Sequence, residues 1–263
     1  MELTGKTVWI TGASSGIGAA LAEAFGKAGA QIILSGRREA ALADIARRLE
    51  GERFVLPFEA TDYAALPGIV DRAWAWRGAI DILVNNAGIS QRSIALDTDF
   101  DVYRQIMEVD FFAPLRLTQF VLPKMVARGQ GHVIQIASVA GKIGVPMRTG
   151  YCAAKHALVG FSDALRAEVA QHGIGVTVVT PGFVQTNIAE NALDGHGKRF
   201  GPKEDPVGHG ISAAEAAAEI LAGLRAGKPE IPVGRGLEMH ALWLKRLAPR
   251  YVFSRVAKMA PKR

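Results

Sequence analysis

Tyr151 and Lys155 lie four positions apart in the stretch TGYCAAKHALVGF, residues 149–161. Positions i and i+4 of an α-helix share a face, so this spacing predicts that the phenol and the ammonium lie side by side. A free phenol has a pKa of about 10, and a nearby cation favours its ionised form. The pair could therefore transfer a proton near neutral pH, although Tyr and Lys at this spacing also occur on ordinary helix surfaces.

A second chemical feature is the glycine-rich turn TGASSGIG, residues 11–18, which follows the first apolar run of the chain. Residues without a β-carbon let the backbone approach a pyrophosphate, and a helix N-terminus offers it unpaired N–H groups and a positive dipole. The spacing departs from G-x-G-x-x-G, but its place between a predicted strand and a predicted helix indicates a phosphate-binding turn.

The end of the second apolar run indicates which dinucleotide is bound. Enzymes that use NAD usually place an acidic side chain there, against the adenosine ribose. The chain instead reads LSGRRE, with Gly36 at the expected acid position and Arg37 and Arg38 after it. Fixed cations with several donors suit a 2′-phosphate, so the stretch favours NADP(H) over its alternative, a solvated helix start.

The order of elements predicts how these groups are positioned. Short apolar runs rich in Val and Ile read KTVWITG, QIILSGR, RFVLPFE, IDILVNNAG, GHVIQIAS and GVTVVTPG. Stretches with helical spacing lie between them at 17–28, 39–50, 62–76, 100–128 and 151–172. This alternation predicts a single-domain α/β protein over residues 1–263, a Rossmann-type doubly wound parallel sheet with helices on both faces.

Composition narrows the class of protein. The chain has 263 residues, of which 49% are hydrophobic and 21% charged, as in a globular protein with a large core. Its one cysteine, Cys152, excludes an internal disulfide and reads as a small core residue that points away from Tyr151. The start MELTGKTVWITG lacks a secretory pattern, and no apolar run approaches the roughly 20 residues that span a bilayer. We expect a cytoplasmic protein.

The net charge of +6 is concentrated at the C-terminus. Residues 225–263 hold ten Lys and Arg against two acids, a net +8, so residues 1–224 carry −2. We therefore predict no nucleic-acid partner. The tail 239–263 interleaves large apolar residues with bases, which suits a peripheral contact with an acidic membrane or a partner groove, or an amphipathic helix packed on its own domain.

The Gly-rich stretch 187–212 is predicted to be a substrate loop. It contains His196 and His209 together with Asp194 and Asp205. Their spacing matches no familiar ligand set, so we predict no metal.

Five motifs resemble the short-chain dehydrogenase/reductase family in order and spacing. They are TGASSGIG, NNAG at 85–88, Ser138 in IASVAGK, YCAAK at 151–155 and PGFVQT at 181–186, and the resemblance covers about residues 4–190. It implies hydride transfer between NADP(H) and a carbonyl or secondary-alcohol substrate by a homodimer or homotetramer. The resemblance extends to family members that act on steroids, retinoids, lipid-like ketones and small ketones alike, and we expect an apolar or lipid-like substrate.

The resemblance also assigns roles to residues. Tyr151 would donate the proton, Lys155 would lower its pKa and bind the nicotinamide ribose, and Ser138 would hold the carbonyl oxygen. Asp110 would be the fourth catalytic residue, although the family usually has Asn there, and Glu59 stands where an Asp is frequent. The expected cofactor contacts are Gly12, Ser14, Ser15, Gly16, Ile17, Gly18, Arg37, Arg38, Glu59, Ala60, Asn86, Ala87, Gly88, Tyr151, Lys155, Pro181, Gly182, Val184 and Thr186.

The departure at Asp110 leaves a second hypothesis open. An ionised Asp only accepts hydrogen bonds and adds a charge, unlike Asn. The protein could then be a dinucleotide-binding sensor or scaffold that keeps the fold without turnover. The presence of Ser138, Tyr151 and Lys155 favours the enzyme.

Overall fold

The centre of the molecule is a parallel sheet. The computed structural model describes residues 1–201 and 209–261. In this part of the chain the strands are β1 (Thr7–Thr11), β2 (Gln31–Ser35), β3 (Arg53–Val55), β4 (Ile82–Asn85), β5 (Gly131–Ile136), β6 (Ile174–Pro181) and β7 (Glu230–Val233). They pair in the order β3-β2-β1-β4-β5-β6-β7, and every pair is parallel.

Helices connect and flank these strands. They are α1 (Gly16–Lys27), α2 (Glu39–Arg48), α3 (Leu66–Arg77), α4 (Phe100–Met107), α5 (Ala113–Arg128), α6 (Thr149–Val169), α7 (Ala213–Arg225), α8 (Leu237–Leu247) and α9 (Pro249–Ala257). Across the described ranges, every helix is too short or too polar to cross a bilayer.

Two apolar layers enclose the sheet. Phe25 of α1, Leu42 of α2 and Ile220 of α7 pack on one face with Val8 and Ile10 of β1. Helices α3, α5 and α6 pack on the other face, where Trp9 of β1 points. Successive side chains of β1 thus pack into opposite apolar layers, as expected for a strand buried on both sides. The predicted doubly wound α/β fold is confirmed.

Two elements differ from the sequence prediction. Strand β7, with the sequence EIPV, was not predicted, because it has only four residues and contains Pro232. Proline is tolerated there because β7 is an edge strand. The predicted helix 100–128 is interrupted by a π-helical turn at Glu108–Phe112, in which the Ala113 N–H donates to the Glu108 carbonyl.

The strand order reverses between β1 and β4. The connections leave these two strands in opposite directions, which opens a crevice at their carboxyl ends, where α/β proteins bind ligands. Gly12 follows β1 and Asn86 follows β4, so the crevice lies beside two of the motifs.

Candidate active site

The β1–α1 turn needs its glycines for two physical reasons. Gly12 and Gly16 have φ angles of +65° and +57°, which residues with side chains rarely adopt. A β-carbon at Gly12 would lie 2.8 Å from the Ala87 Cα, and one at Gly18 would lie 2.4 Å from the Gly12 carbonyl oxygen. The turn is therefore pressed against the end of β4, and α1 begins there with its N–H groups directed at the crevice.

Thr11 ties the ends of β1 and β4 together. Its Oγ1 accepts the backbone N–H groups of Asn86 at 3.0 Å and Ala87 at 3.1 Å. The Asn86 Nδ2 donates in return to the carbonyls of Thr11 and Gly12 at 2.9 and 3.2 Å. Asn86 and Ala87 thus form the floor of the crevice, and Ala60 lines a small cavity beside Ala87 and Thr11.

The chain after β2 passes beside the glycine-rich turn, and Arg38 contacts it. A β-carbon on Gly36 would lie 4.0 Å from the Gly12 Cα, so the chain passes close to the turn. The Arg38 Nη2 donates to the Ser14 Oγ at 3.0 Å. Arg37 is exposed and forms an ion pair with Glu59 at 3.7 Å. Glu59 therefore has a cationic partner at the mouth of the crevice.

The other predicted cofactor contacts border the same turn. Ser15 is the N-cap of α1, and Ile17 is half-buried in its first turn. Pro181 ends β6, and the Gly182 N–H donates to the Val233 carbonyl at 2.8 Å. Farther along, a β-carbon on Gly16 would lie 3.0 Å from the Thr186 Cγ2, and Val184 is buried. Segment 181–186 thus closes the crevice opposite β2.

Tyr151 and Lys155 lie on the first turns of α6 with only 8% and 4% of their surface exposed. The Lys155 Nζ is 5.7 Å from the centre of the Tyr151 ring and donates to the Ile136 carbonyl at 3.2 Å. Ser138 follows β5, and its Oγ accepts the Ala140 N–H at 3.1 Å and donates to the Pro181 carbonyl at 3.4 Å. The structure therefore places the pair inside the molecule rather than on an exposed face.

Asp110 contacts Lys155 directly. It lies in the π-helical turn and is fully buried, with its Oδ2 3.2 Å from the Lys155 Nζ. Its Oδ1 accepts the Ile89 N–H at 2.8 Å. A β-carbon on Gly88 would lie 3.4 Å from both carboxylate oxygens and from the Lys155 Nζ, so the chain at Gly88 passes directly beside this ion pair.

Burial and charge act against each other on these three side chains. Burial raises the pKa of Asp110, and the Lys155 ammonium opposes this. Burial lowers the pKa of Lys155, but Asp110 and Tyr151 raise it by more, so the net shift is upward. Burial raises the pKa of Tyr151 and so does Asp110, while Lys155 and the Ser138 side chain lower it. The phenol is therefore held as a proton donor beside a cation.

Two residues that the sequence did not single out support the site. Gln91 is fully buried, and its Oε1 accepts the Gly150 N–H at 2.8 Å at the start of α6. Its Nε2 donates to the Ser93 Oγ at 3.0 Å. Glu238 of α8 accepts the Phe183 N–H at 3.3 Å. Gln91 and Glu238 are single polar residues that belong to no recognisable motif or spacing. The sequence alone therefore does not indicate that they support the site.

The predicted substrate loop is described as far as residue 201 and again from 209. The Leu193 N–H donates to the Ser90 carbonyl and its carbonyl accepts the Arg92 N–H, both at 2.8 Å. The His196 Nδ1 lies 3.0 Å from the Asp99 Oδ2, within hydrogen-bond distance. Asp205, named with His196, His209 and Asp194 in the sequence, lies outside the described residues.

Cys152 fits its expected role as a core residue. It is 7% exposed, and burial raises the pKa of its thiol. Its Sγ accepts the Val145 N–H at 3.4 Å. A protonated, enclosed thiol is a poor nucleophile.

A parallel sheet with a glycine-rich turn at its reversal point and an enclosed Tyr–Lys pair defines a dinucleotide-binding oxidoreductase architecture. A family model described as short chain dehydrogenase matches residues 6–196. The chain belongs to the short-chain dehydrogenase/reductase family. It is 39% identical over 264 residues to dehydrogenase/reductase SDR family member 7B of Bos taurus, which covers 97% of this chain and 81% of that protein.

Solved structures agree with this assignment. A short-chain dehydrogenase from Streptomyces avermitilis is 30% identical with a TM-score of 0.80, covering 97% of this chain and 98% of that one. A family member from Burkholderia phymatum in complex with NAD has a TM-score of 0.84 at 23% identity and covers 95% and 96%. One from Burkholderia cenocepacia in complex with NADP has a TM-score of 0.81 at 24% identity and covers 97% and 99%. The last two show likeness of fold.

Proposed function

We propose that this oxidoreductase reduces carbonyl compounds with NADPH and, in reverse, oxidises secondary alcohols with NADP+. The observation that carries the proposal is the enclosed group of Tyr151, Lys155 and Asp110. A phenol, an ammonium and a carboxylate are all buried there, which is costly unless the charges are paired. Such groups are concentrated at catalytic sites.

The side chains support a simple division of labour. The dinucleotide supplies the hydride when it is bound. Tyr151 gives the phenolic proton to the carbonyl oxygen as that oxygen gains negative charge, and Ser138 donates a hydrogen bond to the same oxygen. Lys155 stabilises the phenolate that remains, and a proton from solvent restores the phenol. In the oxidation of an alcohol the phenolate accepts the hydroxyl proton instead.

The preference for NADP(H) is supported by the residues after β2. Gly36 leaves no carboxylate against the ribose, and Arg38 already lies against Ser14 of the phosphate-binding turn. A 2′-phosphate would give both arginines a dianionic partner. Arg37 could at the same time keep its ion pair with Glu59.

An apolar or lipid-like substrate is supported by the surroundings of Tyr151. The partly buried side chains of Ile89, Val145 and Leu193 pack in the same cluster as Tyr151. This cluster lies beside the predicted substrate loop, so it offers an apolar ketone more contact than a small polar one.

We further propose a cytoplasmic homodimer or homotetramer that contacts membranes only peripherally, through residues 239–263. Phe100 begins α4 and Phe112 immediately precedes α5, and they are 74% and 42% exposed. Large apolar side chains of this kind are the surface that a second copy would cover.

The activity is tested by following NADPH absorbance with a panel of ketones of graded hydrophobicity. We expect turnover with apolar ketones, and we expect Tyr151→Phe to lower it about a hundred-fold or more, because the proton donor is lost. NADPH should still bind the variant. Binding of NADPH without turnover of any ketone would favour the sensor or scaffold hypothesis instead.

The cofactor preference is tested by titrating NADPH and NADH into the wild type, Arg37→Ala and Arg38→Ala. Loss of a charge-assisted phosphate contact should weaken NADPH about ten-fold to a hundred-fold, from roughly 1.5 to 3 kcal/mol, and leave NADH unchanged. Arg48→Ala, an exposed arginine of α2, is the matched control. Equal affinities of the wild type for the two cofactors would contradict the preference.

A further inference from the structure

The C-terminal helices α8 and α9 have an inner face that belongs to the protein core. Val252 is 3% exposed and packs with Val139 and Ile143, which follow Ser138 in the chain. Leu242 and Val256 join the same cluster, which holds both helices against the segment after β5.

The inner face also reaches residues of the candidate active site. Glu238 accepts the Phe183 N–H, and a β-carbon on Gly182 would lie 2.9 Å from the Met239 Sδ. Lys245 donates through Nζ to the Lys142 carbonyl at 2.6 Å. The C-terminal segment is therefore part of the wall around the site, and not a detached tail.

The outer face presents large apolar side chains to solvent. The exposed fractions are 69% for Trp243, 84% for Leu247, 56% for Tyr251, 59% for Phe253 and 64% for Met259. Trp243 and Leu247 are four positions apart on α8 and so share one side of it. Tyr251 and Phe253 flank the buried Val252 on its two sides, because positions two apart on a helix do not share a face. These exposed apolar side chains leave area in water that a partner would cover.

Cations alternate with these apolar groups. Arg246, Arg250 and Arg255 are exposed on the same two helices, and Lys258 is exposed immediately after α9. Residues 239–263 contain seven Lys and Arg and no acidic residue, and the last two bases, Lys262 and Arg263, lie outside the described residues. Residues 1–224 carry a net −2, so the excess positive charge of the chain belongs to residues 225–263, which include these two helices.

We propose that this outer face, Trp243–Met259, docks on the surface of an anionic lipid bilayer. Trp, Leu, Tyr, Phe and Met side chains would insert at the headgroup level, while the arginines and Lys258 contact lipid phosphates and carboxylates. The complementarity of charge selects this partner, because a face with this many cations and no acid repels a second copy of itself. The docking surface deepens the peripheral membrane contact proposed above by naming its side chains and its anionic partner. Its role in delivering an apolar carbonyl compound to the adjacent site rests on the proposed catalytic function.

Co-sedimentation with vesicles tests the surface in the full-length protein. We compare pure phosphatidylcholine with a phosphatidylcholine–phosphatidylserine mixture at low and physiological salt. The protein should bind the anionic vesicles, and binding should weaken as salt screens the charges. Truncation is avoided because Val252 is in the core.

Two pairs of variants test an apolar position and a cationic position of the outer face. Leu247→Asp is matched with Leu96→Asp, since the two leucines are 84% and 80% exposed. Arg250→Glu is matched with Arg48→Glu on α2. Each outer-face variant should lower the partition coefficient at least about five-fold, because it makes the face more negative by at least one charge, and one charge near an anionic surface is worth about this factor. The matched controls should bind like the wild type.

Two further measurements make the result decisive. All four variants should reduce a water-soluble ketone at the rate of the wild type. If the wild type itself does not reduce any ketone, this counts against the proposed function and leaves the docking result intact. Absence of binding to anionic vesicles at low salt overturns the proposal. Sedimentation velocity completes the test: if Leu247→Asp reduces the oligomer size and does not reduce lipid binding, the face is a contact between copies and the proposal is overturned.

Discussion

Replacing Asp110 by asparagine should reduce stability more than turnover. The carboxylate has two partners in a fully buried place, the Ile89 N–H at 2.8 Å and the Lys155 ammonium at 3.2 Å. An amide of nearly the same shape offers only one oxygen, so it can accept from one of them and must turn its NH2 group toward the other.

The magnitude follows from the ion pair. Unit charges 3.2 Å apart attract by about 5 kcal/mol at an effective dielectric constant near 20. The amide offsets part of this lost attraction, because burying a neutral group costs less than burying the carboxylate. Lys155 also retains its hydrogen bond to the Ile136 carbonyl. Removal of one partner of a buried pair usually costs about 3–5 kcal/mol. We expect a loss of about 2–4 kcal/mol in the free energy of unfolding, or on the order of 10 °C in Tm.

Turnover should change less, within about ten-fold or ~1.4 kcal/mol in the barrier, because the phenol and the ammonium remain. The pH profile should move in a defined direction. Asp110 raises the pKa of Tyr151, so its neutralisation lowers that pKa. Carbonyl reduction needs the protonated phenol, so the alkaline limb of the rate profile should shift to lower pH.

The assay combines urea unfolding with steady-state turnover across pH for the wild type, Asp110→Asn and Asp81→Asn. Asp81 is a partly buried carboxylate that pairs with Lys6 and Arg128 far from the site, so its variant should lose stability without any shift of the pH profile. A loss of turnover in Asp110→Asn as large as that in Tyr151→Phe would contradict a supporting role for this carboxylate, and so would a shift of the alkaline limb to higher pH.

Two other outcomes are expected. Gln91→Met should lower kcat about ten-fold and leave the affinity for NADPH unchanged, because the buried Gly150 N–H loses its acceptor at the start of the helix that carries Tyr151. If titrations show that NADPH binding falls by the same factor, Gln91 does not act by positioning Tyr151. Burial lowers the pKa of His132 from 6.5 to about 4, so between these pH values the unfolded chain binds more protons than the folded protein. Unfolding experiments should therefore show that about 3 kcal/mol of the stability present above pH 6.5 is lost as the pH falls to about 4. His132→Gln should flatten this dependence, and an equally steep loss in the variant would count against the assignment.

The order of the elements could be predicted because it depends on local patterns. Alternating apolar runs and helical stretches locate the first six strands, and glycines with no room for a side chain mark the turn after β1. Strand β7 escaped because four residues with a proline carry too little pattern to distinguish a short edge strand from a loop.

The contacts within the site could not be predicted in the same way. Asp110 and Lys155 are 45 positions apart, and nothing in their spacing shows that a carboxylate touches the ammonium. Helical periodicity over 100–128 also fails to show the π-helical turn that carries Asp110, because one wide turn changes the pattern by a single residue. Tertiary packing decides both features.

The π-helical turn sets the rotational phase of the two helices it joins. Val102 and Met125 are both buried and lie 23 positions apart, which in a regular α-helix would place them about 140° apart around the axis. The wide turn absorbs one extra residue, about 100° of rotation, and reduces this angle to about 40°. Deletion of one residue from 108–112 would therefore fuse α4 and α5 into a regular helix without rotating either one against its neighbours. The same deletion would move the Asp110 carboxylate away from Lys155. The packing of α4 and α5 does not need the extra residue, whereas the ion pair with Lys155 does.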